Sequence, residues 1–268
     1  MRLSIHHDTT YRYAERVRAS IQYLRLTPQD SVRQRVLDWQ LDLPQGARAQ
    51  RDGHGNILHV LTLDEPHQAI VIGARGQVEI DESCESESDA ASPLPYLRST
   101  ALTEVDAGLR GFARQVCGER RDRAALIELM EALHQRMPFS PGATRVETTA
   151  AEAFALGLGV CQDHTHVFLA CARSLGIPAR YVSGYLCTAG STELASHAWA
   201  EAWLDGAWYS FDVTNRLVRP GRHIKLAVGL DYLDACPVRG MRRGGQEQMH
   251  ALVQSAPLLQ NQLPCQAQ

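Results

Sequence analysis

The chain has 268 residues, 44% hydrophobic and 21% charged, with a formal net charge of -3; it is long enough to bury the core of one large or two smaller domains. That charge gives no basic footprint for nucleic acid and no polybasic patch for a membrane surface. No apolar run reaches the roughly 20 residues that cross a bilayer, and the seven cysteines, without CxxC spacing, fit a reduced compartment better than a disulfide framework or zinc ribbon.

The N-terminus, Met1 to His7, lacks an apolar signal core and alternates like a strand, so the cytoplasm is the expected location. Leu3, Ile5 and His7 alternate with Arg2, Ser4 and His6, and Tyr11 to Tyr13 resume the pattern. Further strands are expected at Ser20–Leu26, Val36–Leu43, Ile57–Leu63 and Ala69–Ile80. Turn chemistry separates them, for example Asp52-Gly53-His54-Gly55-Asn56 and Asp64-Glu65-Pro66. Short strands at this spacing predict a small β-sandwich over residues 1–80. His6, His7, His54, His59 and His67 have no metal-ligand spacing and read as surface or edge residues. Residues 81–92 are acidic and serine-rich with no apolar period, which reads as a solvated connector. A linker over 81–98 is the expected domain boundary.

Helical periodicity then takes over. One helix is expected from Thr103 to about Cys117. A second runs over Arg123–Met137, with Leu126, Leu129, Met130 and Leu133 on one stripe, and Pro138 stops it. Thr148 or Thr149 can cap a third through Leu156. The turn Gly157-Leu158-Gly159 leads into Cys161, followed by an apolar helix that Gly176 and Pro178 end. Cys161 thus sits at a helix N-terminus, where the macrodipole and unpaired N–H groups favour the thiolate, the form that attacks carbonyls. A lone cysteine in that place is more often a small apolar filler. The downstream residues change the odds.

Ala179–Leu186 reads as a strand, followed by a polar loop at Thr188–Glu193. His197, Trp199, Glu201 and Trp203 then alternate with Ala198, Ala200, Ala202 and Leu204. Asp205-Gly206 is a strong hairpin signal, and Ala207–Thr214 returns as the partner strand. A two-residue loop pairs Leu204 with Ala207. Counting back along both strands sets Trp199 opposite Asp212 and His197 opposite Thr214. His197 and Asp212 then lie on one face as diagonal neighbours, with Cα atoms roughly 7–8 Å apart. A slip of one residue would separate them. Chemistry assigns the roles: Cys161 as nucleophile, His197 as its base, and Asp212 to orient the ring and stabilise its charge. The Cys161 N–H is the natural first oxyanion donor, and the second stays unassigned.

Gly159-Val160-Cys161-Gln162-Asp163, Gly176 to Tyr185, Ser196-His197-Ala198-Trp199-Ala200-Glu201 and Phe211-Asp212-Val213-Thr214-Asn215 closely resemble the bacterial transglutaminase-like superfamily. The N-terminal strands, Pro141 to Thr144 and Ala227 to Tyr232 resemble further parts of one bacterial branch. The resemblance implies an α+β protein: a β-sandwich-like domain (1–80), the linker (81–98), a papain-like core (99–256) with the nucleophile helix on an antiparallel sheet, and a tail (257–268). It implies a Cys161–His197–Asp212 triad working through a thioester, with no cofactor and no metal, on a peptide or protein amide. A peptidase or amidase is favoured over a protein-glutamine transglutaminase, because nothing here indicates a calcium-gated or protein-docking apparatus. The other alternative is a non-catalytic module that binds a peptide or partner on an inherited triad scaffold; the intact triad argues against it.

The remaining signals are weaker. Trp199 is a candidate substrate-groove residue, while Trp203, Trp208, Tyr181 and Tyr185 read as core. Asp163 reads as a structural group at the helix start. His164 and His166 lack ligand partners at i, i+4. Arg239, Arg242 and Arg243 read as a solvated loop, Cys171 and Cys187 as packing residues, and the chain after Ser255 as poorly ordered.

Overall fold

The computed structural model describes residues 1–89, 91–187, 194–244 and 247–257. The polar loop expected at 188–193, and the tail beyond Pro257, lie outside the described residues.

The strands run β1 (Arg2–Val17), β2 (Ala19–Leu24), β3 (Gln34–Asp42), β4 (Arg48–Arg51), β5 (Ile57–Leu63), β6 (His67–Ile80) and β7 (Ser86–Glu87). Four helices follow: α1 (Ala107–Cys117), α2 (Arg123–Arg136), α3 (Ala150–Leu156) and α4 (Cys161–Ser174). Then come β8 (Ala179–Cys187), β9 (Leu194–Leu204), β10 (Ala207–Phe211), β11 (His223–Gly229), α5 (Tyr232–Ala235), β12 (Val238–Arg243) and β13 (Glu247–Pro257). Three sheets form, in the orders β13-β1-β6-β3, β12-β2-β5-β4 and β11-β8-β9-β10-β7. The α+β architecture expected from the sequence is present.

Alternation builds the first two sheets. Leu3, Ile5, His7, Thr9, Tyr11 and Tyr13 of β1 are all buried while their neighbours are not. Leu24, Leu61, Ile70, Ile72 and Val78 complete that core, and Tyr185, Cys187, Ile224 and Leu226 enter it from the third sheet. The third sheet therefore has two covered faces. Its other face carries Ala198, Ala200, Ala202 and Phe211, and these small or flat side chains let α4 pack closely. The residues from Asp163 to Arg173 of α4 are buried without interruption, as expected of a helix enclosed on all sides.

Four local readings are corrected by tertiary contacts. His7, expected at a surface or edge, is 4% exposed. It bonds Thr9 Oγ1 at 2.7 Å through Nε2 and the Tyr185 hydroxyl through Nδ1. The parity of β1 already put it on the inward face. The acidic stretch is not simply solvated. Glu87 is buried in a strand beside β10, and Glu85 and Asp89 meet Arg123 and Arg180 at 2.9 and 2.8 Å. Those countercharges are distant in sequence, so a local window reports only the excess of carboxylates. The arginine-rich stretch forms β12 and pairs with β2. An edge strand with exposed side chains keeps no apolar period. Finally, β13 continues past Ser255 to Pro257 and pairs with β1, so the C-terminal strands return to the N-terminal sheets.

Two buried histidines predict an acid-labile fold. Burial lowers His7 to about 4, with Asp8 opposing, and lowers His166 on α4 to about 3, with the Arg173 charge adding. In the unfolded chain both protonate near 6.5. Between those limits the unfolded state binds more protons, so stability is whole above pH 6.5 and falls as pH drops toward 4. At pH 5 each histidine removes about 2 kcal/mol. Urea melts at pH 7 and pH 5 measure this, and equal midpoints would contradict it.

Candidate active site

The start of α4 is shaped by a carboxylate. Asp163 Oδ2 accepts from the Val160 N–H at 2.8 Å and from Thr144 Oγ1 at 2.6 Å. It fixes the turn before Cys161, the structural role expected of it. A Cβ at Gly159 would stand 2.7 Å from the Asp163 Cβ, so only glycine allows that approach. Cys161 opens the helix, half-buried, with the first-turn N–H groups beside it.

The hairpin forms in the expected register, but β10 ends at Phe211 rather than Thr214, so the pairings expected for Asp212 and Thr214 do not form. Ala207 pairs with Leu204, and the ladder continues to Phe211 opposite Ala200. Asp205 and Gly206 take φ of 49° and 86°, the two left-handed residues of a type I′ turn. Asp212 then leaves the ladder and closes a tight loop with Leu217, through backbone hydrogen bonds of 2.8 and 3.1 Å. This puts its carboxylate against His197, with Oδ2 2.7 Å from Nε2. With Nε2 so engaged, Nδ1 is the ring nitrogen left for Cys161, whose proximity is among the influences that raise His197. The three residues singled out in the sequence are thus brought into one chain of contacts.

Electrostatics reinforce that chain. Burial opposes charge on His197, but the hydrogen bonds to Asp212 and Cys161 outweigh it and raise the imidazole to about 9. Burial likewise opposes the Asp212 carboxylate, yet the donors His197 and His223 hold it well below the usual range. His197 is therefore an imidazolium at neutral pH. Its contribution to stability is whole below 6.5 and is lost as pH rises toward 9. An adjacent cation favours the thiolate, the nucleophilic form.

Two partners of Asp212 were not assigned from sequence. His223 Nε2 lies 2.9 Å from the same Oδ2, and Asn215 donates to it from Nδ2 at 2.9 Å and to Oδ1 from its backbone N–H at 3.1 Å. Asn215 stood in the quoted motif. His223 follows Asp212 by eleven positions in a stretch without a clear period, and only the fold of β11 brings it back. Among the described residues, His197, Asp212 and His223 present one donor atom each within 4.8 Å of one another. Both Nε2 atoms address one carboxylate oxygen, so hydrogen bonding accounts for the convergence. His164 and His166 are buried separately: His164 bonds Thr214 Oγ1 at 3.0 Å, and His166 accepts from the Tyr232 N–H at 3.1 Å.

Trp199, expected to line a substrate groove, is 1% exposed. Its ring stands 6.1 Å from His197 and 4.8 Å from His223 and packs with Val182 and Val228. It is a wall behind the imidazoles. Tyr181, Tyr185 and Trp208 are buried and Trp203 is packed against Trp208, as their patterns predicted.

Residues 3–79 match the bacterial transglutaminase-like N-terminal region, and residues 110–213, which hold Cys161, His197 and Asp212, match the transglutaminase-like superfamily. A Mycobacterium leprae protein, uncharacterised, is 30% identical over 266 residues, 91% of this chain and 94% of its own. The chain belongs to the bacterial transglutaminase-like family. An uncharacterised Mycobacterium tuberculosis member is also 30% identical, over 273 residues that cover 90% of this chain and 87% of that one. The fold is shared with a candidate cysteine protease from Cytophaga hutchinsonii, at a TM-score of 0.80 and 22% identity over 100% of this chain and 94% of that one. Among the described residues, no helix is long and apolar enough to cross a membrane.

Proposed function

We propose that the protein is a thiol-dependent amide hydrolase, a cysteine peptidase or amidase, with Cys161 as nucleophile, His197 as acid and base and Asp212 as orienting carboxylate. The observation that carries this reading is the 2.7 Å contact of His197 Nε2 with Asp212 Oδ2, which leaves the other ring nitrogen for Cys161 at the start of α4. Cys161 Sγ forms a bond to the carbonyl carbon and the C=O electrons move onto oxygen. The backbone N–H of Cys161, in the first turn of α4, is the donor available to that oxyanion. The C–N bond then breaks, His197 delivers its Nδ1 proton to the leaving amine, and a thioester remains. Water, deprotonated by the same imidazole, completes hydrolysis. Throughout, Nε2–H stays on Asp212, which fixes the tautomer. A reducing compartment, the cytoplasm, suits a mechanism that needs Cys161 as a free thiol.

Two products separate hydrolysis from cross-linking. A fluorescent peptide library incubated with the protein should yield new free peptide ends, absent with Cys161→Ala. Incorporation of a fluorescent amine into a glutamine-bearing protein, without peptide release, would replace the reading with transamidation.

A further inference from the structure

We propose that His223 is a positioning residue for the Cys161–His197–Asp212 set, and that Arg33, from the N-terminal β part, holds it in place. The inference rests on the reading above and extends it to a fourth side chain.

The backbone of Asp212 is fixed, but its carboxylate can still turn about the side-chain bonds. The donors around it decide where it points. Oδ1 takes the Asn215 N–H, and Oδ2 takes Asn215 Nδ2, His197 Nε2 and His223 Nε2. A carboxylate only accepts, so His223 must carry its proton on Nε2. Its Nδ1 is then a bare acceptor, buried and without a hydrogen-bond partner. Burial keeps His223 neutral, with the charges of His197 and Arg33 adding and Asp212 opposing. One oxygen therefore serves a charged imidazole and a neutral one. With His223 Nε2 and Asn215 Nδ2 also donating to Oδ2, the carboxylate is held against His197.

His223 depends on a strand edge. On one side β11 pairs with β8. On the other, side chains of the N-terminal β part take the place of a neighbouring strand. Arg33 Nη1 donates to the carbonyls of His223 at 2.7 Å and Pro220 at 3.0 Å. The Gln34 amide exchanges two hydrogen bonds with Lys225, at 3.0 and 2.8 Å. The Asn56 amide exchanges two with Val228, both at 2.8 Å. Arg33 is 2% exposed and paired with Glu87 at 3.2 Å. A buried cation is costly unless it is paired and hydrogen bonded, and Arg33 has Glu87 and the His223 and Pro220 carbonyls as partners. What these bonds fix is the carbonyl of the residue whose ring steers Asp212.

The test is the rate of Cys161 alkylation by iodoacetamide at pH 6 and at pH 8.5, taken as a ratio. The ratio is independent of how much folded protein a variant yields. His223→Leu should lower it about tenfold, because a carboxylate free to turn stabilises the imidazolium less. His223→Gln, whose Nε2 can restore the donor, should stay within about threefold of wild type. Arg33→Lys keeps a charge beside Glu87 but cannot span both carbonyls, and should lower the ratio by a smaller factor. A merely structural role would lower the melting temperature and leave the ratio alone. An unchanged or raised ratio in His223→Leu, or a glutamine variant as poor as leucine, overturns the inference while the triad reading stands. A wild-type ratio equal to that of His197→Ala overturns both.

Discussion

Replacing His197 by alanine is expected to slow alkylation of Cys161 about tenfold at pH 6 and to give equal or faster alkylation at pH 9. At pH 6 a thiol with the ordinary value near 8.5 is only about 0.3% thiolate. In the wild type the neighbouring imidazolium, which Asp212 supports at 2.7 Å and which persists to about 9, favours the anion. A thiolate paired with a cation is a weaker nucleophile, so part of any gain in its population is offset. Near pH 9 the wild-type imidazole loses its proton and the alanine variant ionises freely. The two profiles should therefore cross. On any amide substrate the same variant should lose about 10⁴ in turnover, since base, acid and charge stabilisation go together. Parallel profiles displaced by a constant factor would show access to the thiol rather than an ion pair, and would sink the mechanism.

Arg173→Met is expected to lower stability by about 3–5 kcal/mol and leave the alkylation profile of Cys161 unchanged. Arg173 is 6% exposed on the last turn of α4. Nε donates to the carbonyls of Tyr96 and Ala179, Nη1 to Thr103 Oγ1, and Nη2 to the carbonyls of Ala179 and Leu230, at 2.7–3.1 Å. Burial pulls its pKa down to about 10, against the attraction of Asp231 and Asp234, so it stays charged at neutral pH. Methionine fills much of the volume but takes the guanidinium donors away from three carbonyls, while Thr103 Oγ1 keeps its bonds to Thr100. Cys161 sits at the other end of the helix, about 18 Å away at 1.5 Å per residue, beyond reach of that change. Urea melts measure the loss, and a drop under about 1 kcal/mol would mean that water replaces the guanidinium there.

The legible part of this protein is the part with short sequence range. The Asp205-Gly206 turn set the β9–β10 register as far as Phe211 opposite Ala200, and the loop that Asp212 closes with Leu217 brings it to His197. Thr149 caps α3 with Glu152, and Asp163 secures the start of α4, by contacts within three residues. Illegible parts depend on partners far along the chain. The carboxylates Glu85, Glu87 and Asp89 look solvated until Arg123, Lys225 and Arg180 arrive to pair with them. Trp199 looks like a groove residue because alternation gives its face, while only the packing of β8 and β11 shows that this face is covered near Val182 and Val228.

Local sequence carries the nucleophile at a helix start, the hairpin turn with its histidine strand, and the order of strands before helices. Each follows from hydrogen-bond and side-chain periodicity over a few residues, which is local physics. Tertiary structure decided what closes the edge of β11 and what else binds Asp212. Arg33 meets His223 across 190 positions, and the return of β12 and β13 to the first two sheets is equally remote. No local pattern encodes these pairings. They form because a strand edge or a buried carbonyl left without a partner costs more than ordering the distant group that satisfies it.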